Sequence, residues 1–198
     1  MKQPVLLIFA TCYDAVTRRT YGIARRLLSN AKTLDIATST LFEADATSGG
    51  LLNAVAGCRP NVIAFYSHGD PDGVIETQDR QPCWTARTVP DLSGVVLFAH
   101  ACRAMLWLKD QATRLQSQLV IGYEKDLISP PNGSSRFWEI YEEVHSFVPQ
   151  RIAANVHDAQ VRHEFYELCT VRFHELRNRG SLIELVAITQ SRDQIVFA

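Results

Sequence analysis

The chain has 198 residues, the length of one ordinary domain and enough to bury a core without disulfide or metal staples. Apolar residues make up 46% and charged residues 21%, the balance of a water-exposed globular protein rather than a membrane or disordered one. A net charge of −1 gives no reason to expect the basic footprint of a nucleic-acid binder, so no nucleic-acid partner is expected.

Val5-Leu6-Leu7-Ile8-Phe9-Ala10 reads as a first buried strand. It is too short to span a membrane and no small-residue cleavage site follows, so neither an anchor nor a leader is expected. Thr11-Cys12-Tyr13-Asp14 is its exit turn, and the spacing predicts an amphipathic helix over 15–30 with a basic outer face. Residues 35–42 form a weaker strand whose mixed polarity suits a sheet edge, and Ser48-Gly49-Gly50 precedes a short helix over 51–56.

Val62-Ile63-Ala64-Phe65-Tyr66-Ser67 is apolar until it stops at the turn residues His68-Gly69-Asp70-Pro71-Asp72-Gly73. Segments 74–77 and 82–85 suggest a small hairpin outside the main sheet. Val95-Val96-Leu97-Phe98-Ala99-His100-Ala101-Cys102 repeats the design, a buried strand followed from Arg103 by a helical pattern. Leu119-Val120-Ile121-Gly122-Tyr123 is a fifth strand, and 124–134, with Pro130-Pro131-Asn132-Gly133, is a surface loop.

Phe137, Ile140, Tyr141, Val144 and Val148 keep helical spacing, and a long helix is expected over 151–176, stopped by Arg177-Asn178-Arg179-Gly180. Segments 182–188 and 194–197 read as a closing pair of strands. The alternation implies an α/β domain spanning 1–198, a mostly parallel central sheet with helices on both faces.

Open α/β sheets keep their chemistry at the C-terminal ends of the strands. Cys102 and His68 end two strands there, and a thiol just before a helix N-terminus is expected to have a lowered pKa. A cysteine peptidase needs a thiolate, an imidazole acting as base and acid, and donors for the oxyanion. Cys102, His68 and the N–H groups of Gly69 and Cys102 supply all three, Gly69 also letting a substrate backbone come close. The bland alternative is a buried cysteine and a turn histidine that never meet. A metal site from His68, His100 and Cys102 lacks a fourth ligand, so no metal is expected. His145, His157, His163 and His174 read as surface or helix-packing groups. Five cysteines with no C-x-x-C pair fit a reducing cytoplasm, and no cofactor is required.

Ser67-His68-Gly69 after one apolar strand and His100-Ala101-Cys102-Arg103-Ala104 after the next resemble the caspase-like cysteine peptidases: caspases, metacaspases and bacterial CHAT-type proteases. The caspase pattern is Gln-Ala-Cys-Arg-Gly, and the Ala, Cys and Arg stand in the same places here. Arg18-Arg19-Thr20-Tyr21-Gly22 is similar to an Arg-containing segment after the first caspase strand, and 119–123, its loop and the helix from Phe137 look like the elements downstream of the catalytic cysteine. His100 stands where caspases have Gln and metacaspases Asp, and His68 and Cys102 are closer in sequence than the roughly 50 residues usual in caspases. The resemblance implies a caspase-like three-layer sandwich and an endopeptidase acting on protein substrates through a Cys102–His68 dyad. It also implies a latent bacterial stress or defence protease, activated by a partner or by a nick within 125–135.

His100 shares a strand face with Cys102 and is expected to look into the pocket for the substrate side chain, its charge open near neutral pH. Asp14, Glu124 and Asp126 would favour Arg or Lys in that pocket, and Arg18 or Arg19 would favour Asp. Acids at two strand ends tilt the expectation toward a basic residue. The alternative from another class is a silent caspase-like or flavodoxin-like module that binds a partner or small ligand at the same rim.

Overall fold

The computed structural model describes residues 5–85 and 88–198, the Thr113 side chain excepted. Six strands form one sheet in the order β2-β1-β3-β4-β5-β6. β1 (Val5–Ala10), β2 (Ala37–Phe42), β3 (Val62–Tyr66), β4 (Val96–His100) and β5 (Leu119–Tyr123) run parallel, and β6 (Ile195–Phe197) pairs antiparallel with β5. β1, β3 and β4 are apolar at almost every position because both their faces are covered. β2 is the half-exposed edge that its mixed polarity predicts.

Alternate strand residues feed two cores, as the two-residue pleat requires. Leu6, Ile8, Ala64, Tyr66, Phe98 and Tyr123 pack with α1 (Ala15–Thr33), α4 (Ser135–Ala153), α5 (Asp158–Arg177) and α6 (Leu182–Gln194). Leu7, Phe9, Ile63, Phe65, Leu97 and Ala99 pack with α2 (Ser48–Cys58), α3 (Ala104–Leu115) and Ile75, Cys83, Trp84 and Leu92 of the β3–β4 connection. This is the three-layer α/β sandwich with a mostly parallel sheet and helices on both faces.

Three expectations are corrected. The helix over 151–176 is two helices, because Asn155 takes φ +60 and closes a Schellman turn: its N–H bonds to the Ile152 carbonyl and that of Val156 to the Arg151 carbonyl. Residues 182–188 are helix α6, not a strand. Ser181 and Glu184 form its capping box, a Ser-x-x-Glu cue that outweighs the β-branched run behind it. Only 195–197 joins the sheet. The hairpin expected at 74–85 is reduced to single antiparallel bridges, Gly69 with Ile75 and Glu76 with Pro82.

Pro149 lies inside α4 and lacks the N–H that would bond the carbonyl of His145 four residues earlier. That carbonyl accepts from the Tyr66 hydroxyl instead, at 3.0 Å.

Candidate functional site

β1 leads to β2 on one side and β3 lies on the other, so the chain order reverses at β1. The crevice beyond the C-terminal ends of strands at such a switch point is the usual ligand site of an open α/β sheet. Asp14 follows β1, His68 follows β3 and Cys102 follows β4 on this rim.

Two glycines set the imidazole loop against the thiol turn. A Cβ on Gly69 would lie 1.9 Å from the carbonyl oxygen of Cys102, and one on Gly73, at φ +80, would lie 2.2 Å from that of Arg103. Gly69 is thus required by the Cys102 backbone, a tighter constraint than the substrate approach expected of it. Gly69→Ala is expected to destabilise the fold by about 1–3 kcal/mol through overpacking. Denaturant unfolding checks this, and an unchanged midpoint would show that the two loops separate easily. The N–H groups of Gly69 and Cys102 meet no acceptor among the described residues, so both are free to donate.

His68 and Cys102 line the same cavity, about 30 Å³ in volume, with Arg19, His100, Leu127, Ser129 and Tyr141 among its walls. That is room for about one water molecule. The 124–134 loop closes it. The Leu127 N–H donates to Cys102 Sγ at 3.3 Å, and Gln190 of α6 clamps both sides of Leu127, its Oε1 accepting from the Ile128 N–H and its Nε2 donating to the Asp126 carbonyl, each at 2.7 Å. Arg19 donates to the Ser129 and Pro131 carbonyls and lies over the Trp138 ring.

The thiol differs from its expected state. Burial pushes the Cys102 pKa up and Asp126 adds to this, while the Leu127 N–H and Arg103 oppose them without reversing the shift. Cys102 also stands one residue further from α3 than a cap would, since Arg103 is the cap and takes φ 56. The resting form is therefore a thiol that needs a base.

His68 Nε2 lies 2.9 Å from Asp14 Oδ2. The other oxygen of Asp14 caps α1 by accepting from the Val16 and Thr17 N–H groups. Asp14 is not among the cavity walls, so the substrate-binding role expected for it gives way to these contacts. Partial burial pushes its carboxyl up, but the Thr17 N–H and the His68 ring outweigh that and leave it at about 2.

Arg18 points to solvent while Arg19, one residue on, reaches the cavity. Glu124 pairs with Lys109 and Asp126 with Arg103, both exposed and away from the cavity walls. No carboxylate lines the cavity among the described residues, which removes the basis for expecting a basic substrate residue. His100 does line it, but as its floor: only 2% exposed, it stacks on Tyr66 and meets Tyr141 and His145 edge-on. Burial drops its pKa to about 3, so it is neutral, not ambiguous, near pH 7.

His145 was expected at a surface or in simple helix packing, and is instead fully buried in a hydrogen-bonded chain. Ser191 Oγ donates to the Ala187 carbonyl, so it accepts from His145 Nε2–H, and His145 Nδ1 accepts from the Tyr123 hydroxyl. Its position on the same α4 face as Phe137, Tyr141, Val144 and Val148 was a readable sign of burial.

All five cysteines are free. Among the described residues no group of three or more His, Cys, Asp or Glu side chains could hold a metal ion, and no helix is long and apolar enough to cross a membrane.

Fold and site together define a three-layer α/β protein with a cysteine and a carboxylate-paired histidine at the switch point of its sheet. No family model and no curated protein matches the sequence. Among solved structures it is similar to a Streptococcus pneumonia TIGR4 flavodoxin, at a TM-score of 0.42 and 11% identity over 76% of this chain and 94% of that one. A likeness so distant adds nothing to the topology already described.

Proposed function

We propose that this protein is a caspase-like cysteine endopeptidase held in a latent state. The observation that carries this reading is that Cys102 and His68, borne by separate strands, wall one cavity beside two unengaged N–H groups. His68 takes the thiol proton, and Sγ attacks the peptide carbonyl, whose oxygen is held by the Gly69 and Cys102 N–H groups. The C–N bond then breaks as His68 returns the proton to the leaving nitrogen. Water adds to the thioester with its proton going to His68, the C–S bond breaks, and the proton returns to sulfur.

Latency is supported by the raised thiol pKa and by a cavity too small for any substrate side chain larger than glycine's. The 124–134 loop must move first, through a protein partner or a nick by another protease. With Arg19 as the full cation on the cavity wall, an acidic or neutral hydrogen-bonding side chain is accepted there in preference to Arg or Lys. The reaction needs no cofactor, a defence role rests on the family resemblance alone, and a cytoplasmic location rests on five cysteines with no C-x-x-C pair.

The test is cleavage of fluorogenic peptides ending in Asp, Glu, Asn, Leu, Arg or Lys, before and after limited proteolysis of the loop. Cys102→Ala and His68→Ala are each expected to lower turnover by about 10³-fold or more. Turnover retained by both variants rejects the mechanism, and silence of the wild type after loop cleavage favours a non-catalytic binding module.

A further inference from the structure

The two oxygens of the Asp14 carboxylate serve two different sets of partners. Oδ1 accepts from the Val16 and Thr17 N–H groups and from the Thr17 hydroxyl, at 2.9, 2.8 and 3.0 Å. The N–H groups of Tyr13 and Asp14 reach back to the same hydroxyl. The carboxylate is thereby locked to the first turn of α1, and Oδ2 is left directed at His68 Nε2, 2.9 Å away.

An ionised carboxylate only accepts, so the ring nitrogen facing it carries the hydrogen. A neutral His68 then has its lone pair on Nδ1, and that nitrogen meets no partner among the described residues. Tyr13 packs beside the ring, with centroids 5.7 Å apart, and is itself tied through its hydroxyl to Glu76. The ring is thus held in orientation as well as in tautomer.

We infer that Asp14 is the positioning residue for His68, fixing the Nε2–H tautomer so that Nδ1 is the nitrogen that exchanges protons with Cys102. This rests on the peptidase reading for its catalytic consequence, but not for the tautomer. When the Cys102 proton passes to Nδ1, the imidazolium that results faces a carboxylate already in place. The helix cap supplies the rigidity: the cap that starts α1 and the orientation of the base are set by one side chain.

The test is Asp14→Asn in the full chain. Asn is as good an N-cap as Asp, so α1 keeps its first turn, but with Oδ1 held by the cap the side-chain NH2 faces His68 Nε2 and, donating to it, favours the Nδ1–H tautomer. In whichever form the wild type turns over, nicked or intact, kcat on its best peptide is expected to fall about 10²- to 10³-fold with KM little changed. In ¹⁵N NMR the His68 ring is expected to move from Nε2–H toward Nδ1–H. Thr47→Ala is the control, because Thr47 caps α2 in the same way and lies away from the cavity: it lowers the thermal midpoint and leaves kcat unchanged. Wild-type turnover in Asp14→Asn, or an Nδ1–H tautomer in the wild type, overturns the inference. Should the wild type cleave nothing, the peptidase reading fails, while an Nε2–H signal lost in Asp14→Asn still upholds the positioning role and its persistence overturns it.

Discussion

Acidification from pH 7.5 to 5 is expected to remove about 4 kcal/mol of this protein's stability, before most carboxylates titrate. His145 and His100 are buried and neutral: burial holds the His145 pKa well below 6.5, with His100 adding to it, and drops His100 to about 3. In the unfolded chain both ionise near pH 6.5. The folded-state values are depressed, so the unfolded state binds more protons between the two limits. Stability is complete above about 6.5 and is lost as pH falls from there toward about 3. Each imidazole removes about 1.4 kcal/mol per pH unit over that window, hence about 3 kcal/mol per unit for the pair. Over the roughly 1.5 units from pH 6.5 to 5 this removes about 4 kcal/mol, set against a total of about 5–15 kcal/mol, so the transition itself lies below pH 5. Urea midpoints measured from pH 7.5 to 4.5 test this, and His145→Gln should halve the slope between pH 6 and 5 even as it lowers stability at pH 7.5. A midpoint flat across that range would mean that the two rings take up protons inside the fold.

Gln190→Ala is expected to raise the alkylation rate of Cys102 about 30-fold at neutral pH. The two bonds from this side chain to the Asp126 carbonyl and the Ile128 N–H bracket the residue whose N–H sits on the sulfur. At about 1 kcal/mol net for each, their loss shifts the loop toward its open form by about 2 kcal/mol, and about 1.4 kcal/mol is a factor of ten. The exposed Arg103–Asp126 pair contributes less, because solvent screens it. Iodoacetamide kinetics, with trypsin cutting at Lys125 as a second reading, check the loop directly and need no substrate. Alkylation as slow as in the wild type, in a variant of unchanged circular dichroism, would show that other contacts hold the loop.

The sheet could be read from the sequence because β1, β3 and β4 are covered on both faces and leave unbroken apolar runs. α6 was hidden for a related reason. Leu182, Ile183 and Val186 are apolar yet exposed, so no polar face marks the helical period, and the cap at Ser181 and Glu184 was the surviving cue. The rim positions of His68 and Cys102 followed from strand ends. Asp14 shows where local reading stops: its capping role is written in Asp14-x-x-Thr17, but its bond to His68 joins residues 54 positions apart and depends on β1 lying beside β3. The thiol pKa was misjudged because a helix terminus is a local feature, whereas the burial that outweighs it comes from a loop 25 residues downstream.

Pro149 gives α4 a function beyond packing. A regular helix spends its carbonyls on itself, and the vacancy this proline opens at residue 145 lets the strand bearing His68 be riveted to a helix on the sheet's outer layer through the Tyr66 hydroxyl. The same residue 145 anchors α6 through its ring, and α6 carries Gln190. One turn of α4 is thus the junction at which the seat of the imidazole and the latch of the loop are fastened to a common frame.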